Sequence, residues 1–263
     1  MNKRRRIHML NQQKRRVKFK KKRYMLYYIF FSIILITTFL ILSFTVFFNI
    51  KEIEFTGKTS HKIEDILNIG GLREGDNLIL TNTKKAKQNI LNYFKDIDYV
   101  EITKIFPEKI KIECVDCVPY FYCKKNNNRY IYISKNNRVF KTDTKKTPKG
   151  VFYLYVEGEN FDRFKNGDFF EIDEKSKKKF EIIKDSIERE KIKNITQIKI
   201  EKNKSYIIFE DRVSLEIEEI KKTDFLLNLS KKILKNIVGP YEKGKIIYIK
   251  SKRATHFIPT KEI

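Results

Sequence analysis

Residues 24–48 form a run of 25 consecutive uncharged side chains, YMLYYIFFSIILITTFLILSFTVFF, and this run limits every other choice the chain has. As a helix it would extend about 37 Å, enough to cross a hydrocarbon core of ~30 Å with some tilt. Tyr24, Tyr27 and Tyr28 stand at its first end, where an aromatic belt meets the headgroups. A cleaved signal peptide is the rival reading. Its apolar region is usually about 7–15 residues long and ends on small residues. Here the run is longer and ends Val46-Phe47-Phe48-Asn49, so an uncleaved anchor is expected. No second apolar run of this length follows, which predicts a single crossing.

Charge orients that anchor. Residues 1–23 hold twelve Lys and Arg and no acid. The positive-inside rule places this basic tail in the cytoplasm and the bulk of the chain outside, a type II arrangement in the cytoplasmic membrane. The formal net charge is +24, from 57 bases and 33 acids. Removing the tail's twelve leaves 45 bases against the same 33 acids, so half the excess is in the tail. A nucleic-acid arm would use such a tail too, but its position before an apolar run favours anionic headgroups, and no nucleic-acid partner is expected.

Past the anchor the sequence divides into two folded units. Residues 49–117 read β-α-α-β-β. Ile53 and Phe55 share one face of a first strand that ends at Gly57, and Ser60 is placed to cap a helix carrying Ile63, Ile66 and Leu67. Gly70-Gly71 stops that helix. Asn82 or Thr83 caps a second helix with Ala86, Ile90, Leu91 and Phe94 on one side. A hairpin with Pro107-Glu108 in its turn closes the unit. Two helices over one face of three strands bury both apolar stripes.

Residues 118–250 read as a mainly antiparallel β domain with two amphipathic helices, followed by a tail, 251–263. Asn136-Asn137 marks a tight hairpin. A charged helix over 173–192 has Phe180, Ile183 and Ile187 as its stripe. A last helix over 224–237 is predicted to bury Phe225, Leu226, Leu229, Ile233 and Ile237. Residues 246–249 are the predicted last strand, with a basic, less regular tail after it. The fold class is therefore α+β: one transmembrane helix, a β-α-α-β-β unit, then the β domain.

The ordered set of features resembles the FtsQ/DivIB family of bacterial cell-division proteins. The match lies in Phe48 to Gly57, in Glu64-Asp-Ile66, in Gly71-Leu72, in Gly75-Asp-Asn-Leu78, in Phe106-Pro-Glu-Lys-Ile-Lys-Ile112, in Val118-Pro119 and in the hairpin of residues 131–140. Asp116-Cys117 departs from the Glu-Arg common before the junction Pro, Ser134 and Asn137 stand where Asp and Gly are common, and Tyr248-Ile-Lys250 stands where Asp-Leu-Arg is common. The resemblance implies a POTRA domain over 49–117 and a non-enzymatic divisome scaffold at the division site that supports septum assembly. Its implied partners are bitopic coiled-coil division proteins of the FtsB/DivIC and FtsL type, held by the C-terminal region. The candidate partner-binding residues are Phe225, Leu229, Ile247, Tyr248, Ile249, Lys250, Phe257 and Pro259. A strand at a sheet edge beside an amphipathic helix suits strand addition.

No cofactor, metal or catalytic site is expected. Cys114-x2-Cys117-x5-Cys123 has metal-like spacing, but three Cys fall short of the four ligands of a structural zinc site. A Cys117–Cys123 disulfide stays open at this point. Paired acids such as Glu52/Glu54 and Glu216/Glu218 fall on polar strand faces, where solvated surface explains them. Two other classes would leave other marks. A POTRA-bearing secretion or outer-membrane assembly factor would show repeated POTRA units or a long barrel pattern, and an envelope hydrolase would show a catalytic constellation.

Overall fold

A computed structural model describes residues 24–42, 47–249 and 254–260. The basic tail, Lys250 and residues 251–253 and 261–263 of the predicted C-terminal tail lie outside them. Helix α1 (Tyr24–Leu42) is the one helix among the described residues long and apolar enough to cross a membrane. None of it is buried against the rest of the chain. A helix apolar on all sides, and bare against the other described residues, suits an apolar solvent.

The first folded unit contains β1 (Glu52–Lys58), α2 (Ile63–Gly70), α3 (Thr83–Tyr93), β2 (Ile97–Ile105) and β3 (Lys109–Asp116), in the predicted β-α-α-β-β order. Its sheet runs β1-β3-β2. Strands β2 and β3 are an antiparallel hairpin, whereas β1 is parallel to β3. A parallel neighbour needs a crossover, and the two helices provide it. Their stripes meet the sheet in a core of Ile66, Ala86, Ile90, Val100, Ile110, Ile112 and Cys114, all at most 2% exposed. Asn82 caps α3 by accepting the Lys85 N–H at 3.0 Å, as anticipated.

Ser60 does not cap α2. The cap residue is Lys62, with no side-chain bond, and Ser60 instead gives its N–H and its hydroxyl to the Asp116 carboxylate at 2.6 and 2.7 Å. Thr59 Oγ1 donates to the same carboxylate at 2.7 Å. This ties the start of α2 to the end of β3. Gly57 lies inside β1 rather than at its end. Its φ is +102°, and a Cβ there would meet the Cys114 carbonyl oxygen at 2.1 Å.

The second unit is one nine-stranded sheet in the order β12-β11-β10-β9-β8-β7-β4-β5-β6. Its strands are β4 (Phe121–Lys124), β5 (Tyr130–Ile133), β6 (Val139–Thr144), β7 (Phe152–Val156), β8 (Ile195–Ile200), β9 (Ser205–Phe209), β10 (Val213–Ile217), β11 (Gly244–Ile249) and β12 (Ala254–Pro259). Five neighbouring pairs are antiparallel and three parallel, so antiparallel pairing prevails. Helices α4 (Glu174–Arg189) and α5 (Thr223–Asn236) lie against its buried side chains, among them Phe121, Ile133, Leu154, Ile198, Ile207 and Leu215. Asp173 starts α4 by accepting the N–H groups of Lys175 and Ser176.

Two expectations fail here. The buried face of α5 is Thr223, Leu226, Leu227, Ser230 and Ile233, so Phe225 and Ile237, at 49% and 65% exposed, lie outside it. Small polar Thr223 and Ser230 fit the close approach because their hydroxyls bond to the Ile220 and Leu226 carbonyls within their own turns. Residues 246–249 are also not the last strand, because β12 pairs along the whole of β11, from Gly244↔Pro259 to Ile249↔Ala254.

The two units are joined through the turn after β5. Arg138 is 2% exposed, and its guanidinium donates to the carbonyls of Leu91 and Phe94 at the end of α3. Ser134 donates to Asp98, as does the Asn136 side-chain amide at 3.0 Å.

Two outcomes follow from the first unit. Gly57→Ala should lower stability by at least about 2 kcal/mol, because the positive φ and the Cys114 carbonyl both reject a side chain; thermal unfolding of the detergent-solubilised chain reads this. Asp116 governs an acid limit. Burial raises its carboxyl, but the Ser60 and Thr59 hydrogen bonds, with help from His61, outweigh burial and hold it below its ordinary 3.8. A depressed carboxyl contributes stability that is present above its unfolded value and lost as pH falls through the folded one. The thermal midpoint should therefore drop as pH falls below about 3.8, and Asp116→Asn should be less stable at neutral pH with a flatter acid limb.

Candidate functional site

The exposed ends of the large sheet are β6 and β12. They are not equivalent. Beside β6 the chain of residues 167–170 returns: Val139 N–H bonds to Asp168 O at 2.9 Å, Gly167 N–H to Val139 O at 2.6 Å, and Arg138 bridges to Phe169. The start of that edge is thereby covered. Strand β12 has β11 on one side and no strand on the other among the described residues. Its outer row of backbone groups is the kind of edge on which another strand can pair.

The register sorts the candidate residues by face. Directly opposed residues of an antiparallel pair share a face. Tyr248 opposes Thr255, and Ile246 opposes Phe257. These point to the helix side, where Tyr248 and Phe257 pack against the core. Ile247 opposes His256, and Ile249 opposes Ala254. These lie on the other face. Phe225 meets Tyr248 edge-on, with ring centroids 6.1 Å apart, and the Lys222 ammonium stands 5.1 Å from the Tyr248 centroid. Leu229 is half-buried on α5, and Pro259 is exposed at the end of β12 opposite Gly244. Lys250 lies outside the described residues. The structure thus brings Phe225 and Tyr248 together and keeps Phe257 on the same side of the sheet, while the side chains of Ile247 and Ile249 lie on the other face.

A groove of about 190 Å³ opens between the start of α5 and β11. Leu226, Ile247 and Tyr248 give it apolar walls, and Glu216, Glu218 and Glu219 an acidic rim. Lys204 binds Glu216 and reaches Glu218 at 3.4 Å, and Lys222 binds Glu219 at 2.8 Å. Hydrogen bonding to Glu216 raises the Lys204 ammonium above its ordinary value. The groove suits an apolar side chain, and its rim carboxylates already hold Lys204 and Lys222. Two buried polar atoms of β12, Thr255 Oγ1 and His256 Nε2, have no hydrogen-bond partner among the described residues. The sequence reading missed both β12 and this rim. In Ala-Thr-His-Phe-Ile-Pro the outward positions are as apolar as the inward ones, so no alternation announces a strand.

The three thiols stand apart from this edge. Cys114 is in the core of the first unit and Cys123 in that of the second, and all three are free. Burial raises the Cys114 thiol to about 11 and the Cys117 thiol to about 12. They are protonated and poor nucleophiles. His61 lies beside the Phe94 ring, and its Nε2 is 3.0 Å from Asp96.

Residues 48–115 match the FtsQ-type POTRA domain family. Over 122 residues the chain is 34% identical to a cell division protein DivIB of Clostridium botulinum strain Hall (type A) and covers 46% of each sequence. It is 33% identical over the same length to a cell division protein DivIB of Clostridium botulinum strain Loch Maree (type A3), again with 46% of each covered. The similarity thus spans just under half of these relatives. The resemblance to the FtsQ/DivIB family drawn from the sequence stands on that domain and on those relatives.

The edge assignment has a direct consequence for β11, which is hydrogen-bonded on both sides. Ile246→Pro should destabilise the sheet by at least about 2–3 kcal/mol, because Ile246 is paired with both β10 and β12 and proline there removes a ladder donor from an interior strand. Ile258→Lys, at a position 50% exposed on β12, should change stability by no more than about 0.5 kcal/mol. Thermal melts of the two variants separate an interior β11 from an edge β11.

Proposed function

We propose that this chain is a single-pass, type II division scaffold that gathers other bitopic division proteins outside the cytoplasmic membrane and so supports septum assembly. A division role is supported by the two DivIB relatives and the FtsQ-type POTRA domain. Membrane anchoring is supported by α1. The basic stretch of residues 1–23 favours a cytoplasmic N-terminus.

The observation that carries the partner-binding reading is the open side of β12, set against the edge at β6, whose start is covered. An incoming extended segment would pair its backbone with β12, and main-chain hydrogen bonds would supply affinity. Side chains at alternate positions would fall towards the groove by Tyr248 or towards the opposite face, which gives selectivity. Partners of the FtsB/DivIC and FtsL type, confined to the same membrane by their own anchors, suit this geometry. The work is assembly in two dimensions rather than bond-making.

A proline scan of residues 255–258 in the full-length chain tests it, with co-purification of partners from detergent-solubilised membranes of the source cells. In an edge strand only alternate N–H groups point outward. Prolines at inward positions should lower the thermal midpoint. Prolines at outward positions should leave the midpoint within a degree or two yet reduce recovery of small bitopic coiled-coil proteins at least ~10-fold, about 1.4 kcal/mol. Undiminished recovery with every folded variant would contradict strand addition. Recovery of secreted or outer-membrane cargo in place of such partners would contradict the division scaffold.

A further inference from the structure

We infer that the anchor-proximal tip of the POTRA unit is a membrane-contacting surface that rests in the lipid interface beside α1. This inference depends on the anchor reading. Six apolar side chains gather there: Phe47, Phe48, Ile79, Leu80, Ile105 and Phe106. Phe47, Leu80 and Phe106 are 61%, 74% and 58% exposed, and Ile79 and Ile105 are also exposed. Exposed apolar patches of this kind on a folded domain mark a contact surface.

The tip is built rather than loose. Leu78 N–H bonds to Phe48 O at 2.6 Å, and Asn49 bridges to Asn77. The Phe48 and Phe106 rings meet edge-on with centroids 6.0 Å apart. Asn77 Oδ1 accepts the N–H groups of both Ile79 and Leu80, at 2.9 and 3.1 Å, and the Lys104 ammonium caps the Ile79 carbonyl at 2.9 Å. With both N–H groups and the Ile79 carbonyl satisfied in this way, Ile79 and Leu80 are held outward at reduced polar cost on entering a drier medium. Lys51 and Glu108 pair at 2.5 Å on the rim, so neither need enter as an isolated charge.

Chain continuity names the occupant. Leu42 is the last described residue of α1, and the tip begins five residues later at Phe47. Five residues span at most about 18 Å even when fully extended. From Tyr24 at the basic end, the 19 described residues of α1 rise about 28 Å, close to the hydrocarbon thickness, which brings the chain near the outer boundary of the apolar core by Leu42. The apolar tip therefore cannot be far from the headgroups, where Phe and Leu side chains partition readily.

The chain contains no tryptophan, so single substitutions give unique probes. The full chain is reconstituted into vesicles with and without brominated lipid, carrying Leu80→Trp, Phe106→Trp, Ile34→Trp or Tyr241→Trp. Tyr241, 92% exposed in the second unit, is the solvent control, and Ile34 reports the anchor. Bromine should quench Leu80→Trp and Phe106→Trp at least about twofold more than Tyr241→Trp, as for side chains at the interface. Quenching at Ile34→Trp with none at Leu80→Trp and Phe106→Trp overturns the tip and leaves the anchor standing. No quenching at Ile34→Trp overturns the anchor, and the tip with it. A blue-shifted but unquenched Leu80→Trp emission, lost on dilution, means that protein covers the tip, which also overturns the proposal.

Discussion

Arg138 is the joint on which the arrangement of the two units depends. A guanidinium is costly to bury, and burial pulls Arg138 below the ordinary Arg value, with nearby groups such as Cys117, Asp98 and Asp96 opposing the drop. What repays it is the end of α3. That helix has no basic residue in its own last turn, and its carbonyls at Leu91 and Phe94 receive the cation supplied by the other unit. A positive charge at a helix C-terminus also meets the negative end of the helix dipole. The Phe169 ring covers the guanidinium, with its centroid 5.6 Å away. The turn that delivers Arg138 is fixed as well. Ser134 accepts the Arg138 N–H and donates to Asp98, and Asn137 takes φ +62°.

This joint gives the two candidate surfaces a common frame. The apolar tip is at the anchor end of the POTRA sheet, and β12 is at the far end of the strand order from β6, beside the Arg138 turn. The same return of the chain over residues 167–170 that covers β6 also brings Phe169 to Arg138. Closing one edge and pinning the joint are thus parts of one local structure. An open edge is a liability for any sheet, because its unpaired groups invite association. In the large sheet β12 is the edge without such cover among the described residues, and it is the one proposed to hold partners.

The sequence revealed what local patterns encode. The apolar run, the Asn82 cap, the Gly-Gly stop and the two amphipathic helices each follow from a few adjacent residues, and the order of the elements carried the family resemblance. What it hid depends on contacts distant in the chain. Ser60 has the right chemistry for a cap, but Asp116, 56 residues on, competes for it and wins with two hydrogen bonds. On α5 two phases of the 3.6-residue pattern are apolar enough to bury, and Tyr248 draws Phe225 to the edge while Ser230 turns inward. Arg138 looks like an exposed strand residue until α3 is placed over it. Of the candidate site, Phe225, Tyr248, Ile247 and Phe257 were legible as a neighbourhood, but the edge itself was assigned one strand too early.

The central claim is that both units move as one body. Distance measurement between spin labels tests it most directly, with labels at Lys84 on α3 and Lys232 on α5, both exposed, in full-length chain in nanodiscs after replacement of the three cysteines. The account predicts one narrow distance distribution, which broadens in Arg138→Met, where the apolar stem remains and the bonds to Leu91 and Phe94 are lost. A broad distribution with Arg138 present, or an equally narrow one without it, would contradict the account.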